Sequence, residues 1–217
     1  LAGSALAGAA EGALLLTTRT ALPLVTKVEL TRLAPSTVFV LGGEAAVSSE
    51  VEDAVRALLP AATIKRMPGK DRYETAYLVA EEAYALAPGN TAIVVSGQAW
   101  PDAASVSGVA YGQKAPILLT TPDVLGEEAE QYLSERRPSI ILVVGGPAVL
   151  STAIHERVKT VTDRIPTPLA GADRYETSAA VARYSIGFPA FFTYDEVYLA
   201  TGLGFADALT GGTLAGV

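Results

Sequence analysis

The chain repeats itself, and this internal repeat constrains its architecture more than any other feature. The block DRYET occurs at 71–75 and returns 102 positions later at 173–177. Three further pairs recur at intervals of 103, 103 and 105 positions: Leu14 and Ile117, Gly42 and Gly145, Asp102 and Asp207. Blocks that recur in one order with nearly one spacing indicate tandem copies of a single folding unit.

Short apolar runs alternate with longer segments of helical periodicity within the repeat. One unit shows all four of its apolar runs, at 62–66, 93–95, 117–119 and 140–144. Asp71 with Glu74 and Ser49 with Glu52 have the spacing of a capping box, and Asp102 is placed to cap a helix. We therefore predict an α/β fold of repeated Rossmann-like modules, about 100 residues each, with parallel sheets flanked by helices.

The phase of the repeat divides the chain into three parts. Residues 1–65 correspond to the C-terminal half of a first repeat, 66–167 to a complete central repeat, and 168–217 to the N-terminal half of a further repeat. Both ends interrupt a unit. We therefore expect either that the polypeptide continues in both directions or that the two halves, whose contents are complementary, associate.

Composition excludes several functional classes. The chain has no cysteine and one histidine, which excludes a disulfide, a zinc finger, a Cys nucleophile and a multi-His metal site. We assign no other metal site and no cofactor. Its net charge of −7 disfavours nucleic acid, whose binding requires positive charge against the phosphates. No apolar run reaches the roughly 20 residues that a membrane span needs.

The recurring motifs are GxDRYxT at 69–75 and 171–177, PILLT at 116–120, VGG at 144–146 and TGxxFADAL at 201–209. They resemble the type 2 cell-wall-binding repeat (CWB2) of Gram-positive surface proteins, essentially over the whole chain. The resemblance implies Rossmann-type modules in a pseudo-threefold arrangement and an Ile-Leu-Leu block that takes part in polymer attachment. With about two unit equivalents, we do not expect this chain to build a three-module ring alone.

The resemblance also implies a function. Family members are noncatalytic modules that anchor a surface or secreted protein to an anionic secondary polymer of the Gram-positive cell wall, outside the cell. The partners it implies are that polymer and further copies of the repeat, in the parent chain or in neighbouring subunits.

The two DRY blocks supply the first candidate ligand-binding residues, which are Arg72, Tyr73, Arg174 and Tyr175. Each block opens a predicted helix after a glycine, and a helix N-terminus beside an arginine suits a phosphate or carboxylate. The alternative interpretation is structural: the Asp caps the helix, the Arg pairs with an acid of the next module, and the Tyr packs in the interface.

The second candidate group comprises Thr17, Arg19, Ile117, Leu118, Leu119 and Thr120. Hydroxyls at the carboxyl end of a parallel strand are placed to meet a sugar or a phosphate. The alternative is that the three apolar residues belong to a strand that is buried on both faces.

Repetition argues against catalysis, because an active site normally contains residues that have no counterpart in a second unit. Asp102 and Asp207 each follow a loop that carries a large aromatic residue, and we interpret them as helix caps because no second acid or base converges on them. Several sites on one scaffold favour multivalent binding. Two alternatives stay open: a structural envelope or filament protein that self-assembles through the repeats, and a nucleotide- or sugar-binding enzyme, although no G-x-G-x-x-G block is present.

Overall fold

The computed structural model describes residues 2–187 and 195–216, which form six strands and ten helices. The strands are β1 (Thr37–Leu41), β2 (Thr63–Met67), β3 (Thr91–Ser96), β4 (Ile117–Thr120), β5 (Ile140–Val144) and β6 (Thr167–Leu169). The helices are α1 (Gly3–Ala9), α2 (Leu24–Leu33), α3 (Ser49–Leu58), α4 (Arg72–Leu86), α5 (Trp100–Ser105), α6 (Ser107–Gly112), α7 (Glu127–Arg136), α8 (Thr152–Thr162), α9 (Arg174–Ser185) and α10 (Ala206–Ala215). All described strand pairs are parallel, which confirms the predicted α/β fold.

The central part of the chain folds around a four-stranded sheet in the order β4-β3-β5-β6. β3 is an inner strand, because it pairs with β4 on one side and with β5 on the other. Ile93 and Val95 point to a core shared with α5, α6 and α9, whereas Val94 points to a core shared with α4, α7 and α8. Helices cover both faces of this sheet, which explains why its strands are continuous apolar runs.

The first part of the chain carries a smaller sheet, in which β1 pairs with β2. On one face, α3 places Val51 and Val55 in a cluster with Ile64 of β2. On the other face, Val79 of α4 packs with Met67 of β2. The same helix α4 also packs on the central sheet, so it joins the two sheets.

One helix from each of the three parts of the chain meets at a common junction, where α1, α6 and α10 contact one another. Small residues permit this close approach. A Cβ added at Gly8 would overlap the carbonyl of Tyr111, and a Cβ at Gly212 would overlap the Ser107 side chain. The junction therefore holds the first and last parts of the chain against the central unit.

Two segments with the repeat pattern of strands form no strand. Residues 14–16 are the repeat equivalent of β4, and residues 196–201 are the equivalent of β3, yet neither segment is paired. The repeat pattern therefore does not by itself produce a strand at these two positions. The central sheet gives the physical reason: β4 is an edge strand held by β3, so its equivalent at 14–16 lacks a neighbour to pair with.

Three capping predictions also fail. Asp207 does not cap α10, because it lies inside the helix, whose N-cap is Phe205. The helix predicted to open at Ser49 has Ser48 as its N-cap, and the Ser48 side chain makes no capping hydrogen bond. Asp102 does not cap α5, because it lies inside the helix, whose N-cap is Ala99. Pro101 in the first turn, where no backbone donor is needed, sets the start of α5 ahead of the aspartate.

Candidate functional site

Each DRY block begins a helix with the same hydrogen bonds. The Asp71 carboxylate accepts from the amides of Tyr73 and Glu74 at 2.8 and 3.0 Å, at the start of α4. Asp173 accepts from the amides of Tyr175 and Glu176, both at 2.9 Å, at the start of α9. Both aspartates are N-caps, as predicted.

The arginine after each N-cap reaches the loop that follows the next strand position. Arg72 Nη1 donates to the Gly97 carbonyl at 2.6 Å, and Arg174 Nη1 donates to the Gly202 carbonyl at 2.6 Å. Gly97 directly follows β3, and Gly202 follows the equivalent segment 196–201. The interpretation that these arginines pair with an acid of the next module is therefore wrong: each donates to a backbone carbonyl of its own repeat.

The tyrosine of each block packs against the same glycine. A Cβ added at Gly97 would lie 2.7 Å from Tyr73 Cε1, and a Cβ at Gly202 would lie 2.8 Å from Tyr175 Cε1. A contact this close leaves no room for a side chain, which explains the glycine at both positions. Tyr73 is half-buried, whereas Tyr175 is 60% exposed. The second block therefore presents its ring at the surface.

We define the exposed aromatic cluster of the second block as Arg174, Tyr175 and Phe205, which are exposed, together with the half-buried Trp100. The Trp100 and Phe205 rings meet edge to face with centroids 6.3 Å apart. The guanidinium carbon of Arg174 lies 5.7 Å from the Trp100 centroid, within range of a cation–π contact. Aromatic faces beside a positive charge suit a sugar ring that carries an anionic group.

Trp100 and Phe205 are not among the ligand candidates that the sequence indicates. Each stands two positions before the recurring aspartate, Asp102 or Asp207. The recurrence of a large aromatic residue at that position was the available signal. The role of Trp100 in a binding surface depends on Arg174, which is far away in sequence. Arg174 reaches the Trp100 ring because α9 packs on α5.

Asp102 is buried between α5 and the carboxyl ends of the central strands, with 4% of its surface exposed. Burial raises the pKa of its carboxyl, while a hydrogen bond from Thr177 and the charge of Arg174 act in the opposite direction. A Cβ added at Gly145, just after β5, would lie 3.1 Å from Asp102 Oδ2. The carboxylate therefore packs between the end of β5 and α9.

The predicted ligand residues of the PILLT block lie inside the central sheet. Ile117 and Leu118 are 1% exposed, Thr120 is buried and Leu119 is half-buried. The Thr120 hydroxyl donates to the carbonyl of Val124 at 2.6 Å. These observations agree with the alternative of a strand covered on both faces.

Thr17 and Arg19 lie in the first part of the chain. The Thr17 hydroxyl donates to the carbonyl of Ala21 at 3.2 Å, and Arg19 Nε donates to the carbonyl of Ala45 at 3.1 Å. Within the described residues, no hydrogen bond or ion pair connects them to a DRY block. The structure therefore does not gather all the predicted ligand residues into one site.

The three predicted arginines form no ion pair within the described residues, although the charge of Arg174 acts on the buried Asp102. Seven other basic residues of the described ranges form ion pairs with glutamates: Arg32, Arg56, Lys65, Arg66, Lys70, Arg136 and Arg157. Arg19, Arg72 and Arg174 are exposed and donate to neutral carbonyls instead, without an ion pair to any described residue. In an acidic chain, these side chains are among the positive points left for an external anion.

Residues 2–187 and 195–216 contain no group of three or more acidic, His or Cys side chains arranged to hold a metal ion. In the same ranges, no helix combines the length and apolar character of a membrane span.

Fold and site together define a tandem α/β repeat in which the arginine of each DRY helix is exposed and hydrogen-bonds a loop of the same repeat. The chain matches the family model of cell wall binding domain 2 (CWB2) over residues 1–52, 66–155 and 169–217, and it belongs to this family. The chain is therefore a cell-wall-binding module, and its family membership indicates a location at the cell wall or cell surface.

Two relatives from Bacillus subtilis (strain 168) are similar to the chain in sequence. The N-acetylmuramoyl-L-alanine amidase LytC is 34% identical over 121 residues, which is 56% of this chain. The amidase enhancer is 27% identical over 192 residues, which is 88% of this chain. The chain spans 24% of the length of each relative.

Two solved structures from Clostridium difficile share its fold over 99% of the chain. Cwp6 superimposes with a TM-score of 0.87 and 27% identity, and Cwp8 with 0.83 and 26%. The chain covers 34% of the Cwp6 structure and 36% of the Cwp8 structure. These matches confirm the predicted fold of repeated α/β modules.

Proposed function

We propose that the chain is a noncatalytic module that anchors a surface or secreted protein to an anionic secondary polymer of a Gram-positive cell wall, outside the cell. Membership of the cell wall binding domain 2 family supports binding to the wall. The similarity to an amidase and to an amidase enhancer supports attachment to a protein that acts there.

The observation that supports an anionic ligand is the positive charge of the two DRY arginines, neither of which forms an ion pair with a described residue. Arg72 and Arg174 are exposed and hydrogen-bonded to carbonyls, so each keeps a full positive charge in a fixed position. A preorganised guanidinium binds phosphate or carboxylate through charge-assisted hydrogen bonds. The net charge of −7 makes such local positive points necessary for an anionic partner.

The exposed aromatic cluster adds a surface for sugar rings at the second block. Tyr175, which packs against Gly202, is 60% exposed, and Phe205, three residues after Gly202, is 51% exposed. Because the DRY block occurs twice, a polymer with repeating units engages both copies, and the combined affinity exceeds that of one contact.

The test is cosedimentation of the folded chain with Gram-positive cell walls, beside walls stripped of their secondary polymer by mild acid, at several ionic strengths. We expect binding that is lost on stripping and weakened by salt. Equal binding to stripped walls, or binding indifferent to salt, would exclude an anionic secondary polymer as the ligand.

The variants Tyr175→Ala and Phe205→Ala test the aromatic cluster in the same assay. Arg174 is a poorer choice because it also holds the Gly202 loop. We expect binding several-fold weaker for both variants, and unchanged binding for the control Val25→Ala, which removes an exposed apolar side chain from α2. If both cluster variants bind as the control does, the polymer contacts another surface.

A further inference from the structure

A buried carboxylate lies where α5 of the central unit meets the second DRY block. Asp102 belongs to α5, and 4% of its surface is exposed. Burial takes hydration away from the charged form of a carboxyl group, so the groups around it decide whether that form persists. The neighbours of Asp102 therefore show what its charge acts on.

The second DRY block supplies a hydrogen-bond donor through α9, which packs on α5. The Thr177 hydroxyl donates to the Asp102 carboxylate, and its oxygen accepts from the amide of Gly171 at 3.2 Å. On the other side, a Cβ added at Gly145 would lie 3.1 Å from Asp102 Oδ2. The carboxylate is therefore held in one place between α9 and the end of β5.

Charged side chains also approach Asp102 from the start of α9. Asp173 and Glu176 accept hydrogen bonds from backbone amides of their own block. Arg174 is the residue whose charge acts on Asp102. Its exposed guanidinium lies over the ring of Trp100, which belongs to the same helix as Asp102.

The other elements around α5 contribute little charge. β3 and the loop 145–151 contain no ionisable residue, α6 contains Tyr111, and α10 contains Asp207. Neither of these two residues is among the groups that act on the charge of Asp102. Within the described residues, the electrostatic partner of the buried carboxylate is therefore Arg174.

The interaction between the two charges affects any anion that Arg174 binds. An ionised Asp102 repels an external anion at Arg174, and solvent screens a buried charge less than an exposed one. A proton on Asp102 removes this repulsion. Burial raises the pKa of the Asp102 carboxyl, so the proton binds at a higher pH than it would to an exposed aspartate.

We propose that Asp102 is a positioning residue whose charge sets how strongly Arg174 binds an external anion, with weaker binding when Asp102 is ionised and stronger binding when it is protonated. Since the proposal rests on the function proposed above, the anion is a charged group of the wall polymer. Binding to the wall should therefore strengthen several-fold as the pH falls through the pKa of Asp102.

The first test is cosedimentation with unstripped cell walls from acid to neutral pH at constant ionic strength. Asp102→Asn has no charge at any pH, so it should bind several-fold more tightly than the natural chain at neutral pH and equally in acid. Comparing two proteins on the same walls removes any titration of the wall itself. Asp163→Asn is the matched control, because it makes the same change at an exposed residue that ends α8, at the opposite edge of the sheet. It should bind as the natural chain does.

Thr177→Val separates charge from packing. It removes the hydrogen bond that favours the ionised carboxylate, so the pKa of Asp102 should rise further. The pH at which wall binding strengthens should move upward with it. A residue with a purely structural role would change the affinity without moving this pH.

A second measurement needs no cell wall. The pKa of Asp102 is followed by NMR of its carboxyl carbon in sodium sulfate and in sodium chloride of equal ionic strength. Sulfate bound at Arg174 repels the ionised carboxylate, so it should raise the pKa of Asp102 and leave that of Asp163 unchanged, because coupling between two bound species is reciprocal.

Two results would overturn the role of Asp102: the same pKa in both salts, or wall binding by Asp102→Asn that parallels the natural chain at every pH. A sulfate effect on Asp102, together with wall binding that survives removal of the secondary polymer, would support the role of Asp102 and exclude only the proposed polymer.

Discussion

The central unit and the first part of the chain contain one apolar run of nearly the same sequence, with different structural outcomes. The run at 117–119 forms β4 against β3, and Leu118 is 1% exposed. The equivalent run at 14–16 forms no strand, and Leu15 is 36% exposed. The two runs differ little in residue type, so the difference lies in the neighbour that each one has.

This comparison shows that an apolar run specifies a strand only in combination with a partner. β3 supplies the central run with a backbone ladder and with covered faces. Where the inner strand is absent from the described residues, α2, α3 and β1 still assemble, but their apolar surfaces line a cavity. The central unit should therefore carry most of the stability of the chain.

The largest expected effect comes from truncating equivalent leucines in the two units. Leu118→Ala should lower the free energy of unfolding by about 2–5 kcal/mol, because it leaves a cavity in a closed core. Leu15→Ala should cost less than about 1 kcal/mol, because its side chain already meets solvent. Urea unfolding followed by circular dichroism measures both, and equal costs would show that the first unit is as tightly packed as the central one.

A smaller difference is expected at the glycines beneath the two tyrosines. Gly97→Ala should cost about 1–3 kcal/mol, because the half-buried Tyr73 ring must move to admit a methyl group. Gly202→Ala should cost less, since the exposed Tyr175 ring has room to turn away. Thermal unfolding of the two variants compares them directly, and a larger loss for Gly202→Ala would contradict the difference in packing.

The smallest expected effect is a pH dependence at Asp102. Burial raises the pKa of this carboxyl in the folded state, so the folded chain keeps a proton that the unfolded chain releases. Stability therefore falls as pH rises from the ordinary pKa of 3.8 through the raised folded value. Asp102→Asn removes this loss, so the variant should unfold at a higher temperature than the natural chain at neutral pH and not at pH 3.

Asp207→Asn, at the exposed equivalent position, controls for the substitution itself. Melting temperatures of all three proteins across pH test the point. A gap between Asp102→Asn and the natural chain that stays constant from acid to neutral pH would mean that the carboxylate is not destabilised by burial.

Much of the fold follows from local sequence. The runs that become β2, β3, β4 and β5 were predicted to within about two residues, because β-branched apolar stretches bounded by helical segments have few other solutions. The N-caps Asp71 and Asp173 also follow from sequence, since an N-cap bonds amides two and three residues away. The division of the chain at residues 66 and 168 stays a prediction.

The candidate site follows from sequence only in part. The DRY blocks were identified by their recurrence, but the partners of Arg72 and Arg174 were not, because Gly97 and Gly202 lie 25 and 28 positions away. Thr120 was considered as a ligand residue, and the structure buries it against Val124. A repeat shows that a residue matters to the unit; it does not show what the residue touches.

Sequence by itself determined the repeat, the alternation of strand and helix, and the starts of the DRY helices, because these depend on interactions within a few residues or on direct self-similarity. Tertiary structure alone decided which apolar runs become strands, which arginines form an ion pair, and where Trp100 meets Phe205. These outcomes depend on the segment that lies alongside, which comes from residues about a hundred positions away, and local periodicity contains no information about that neighbour.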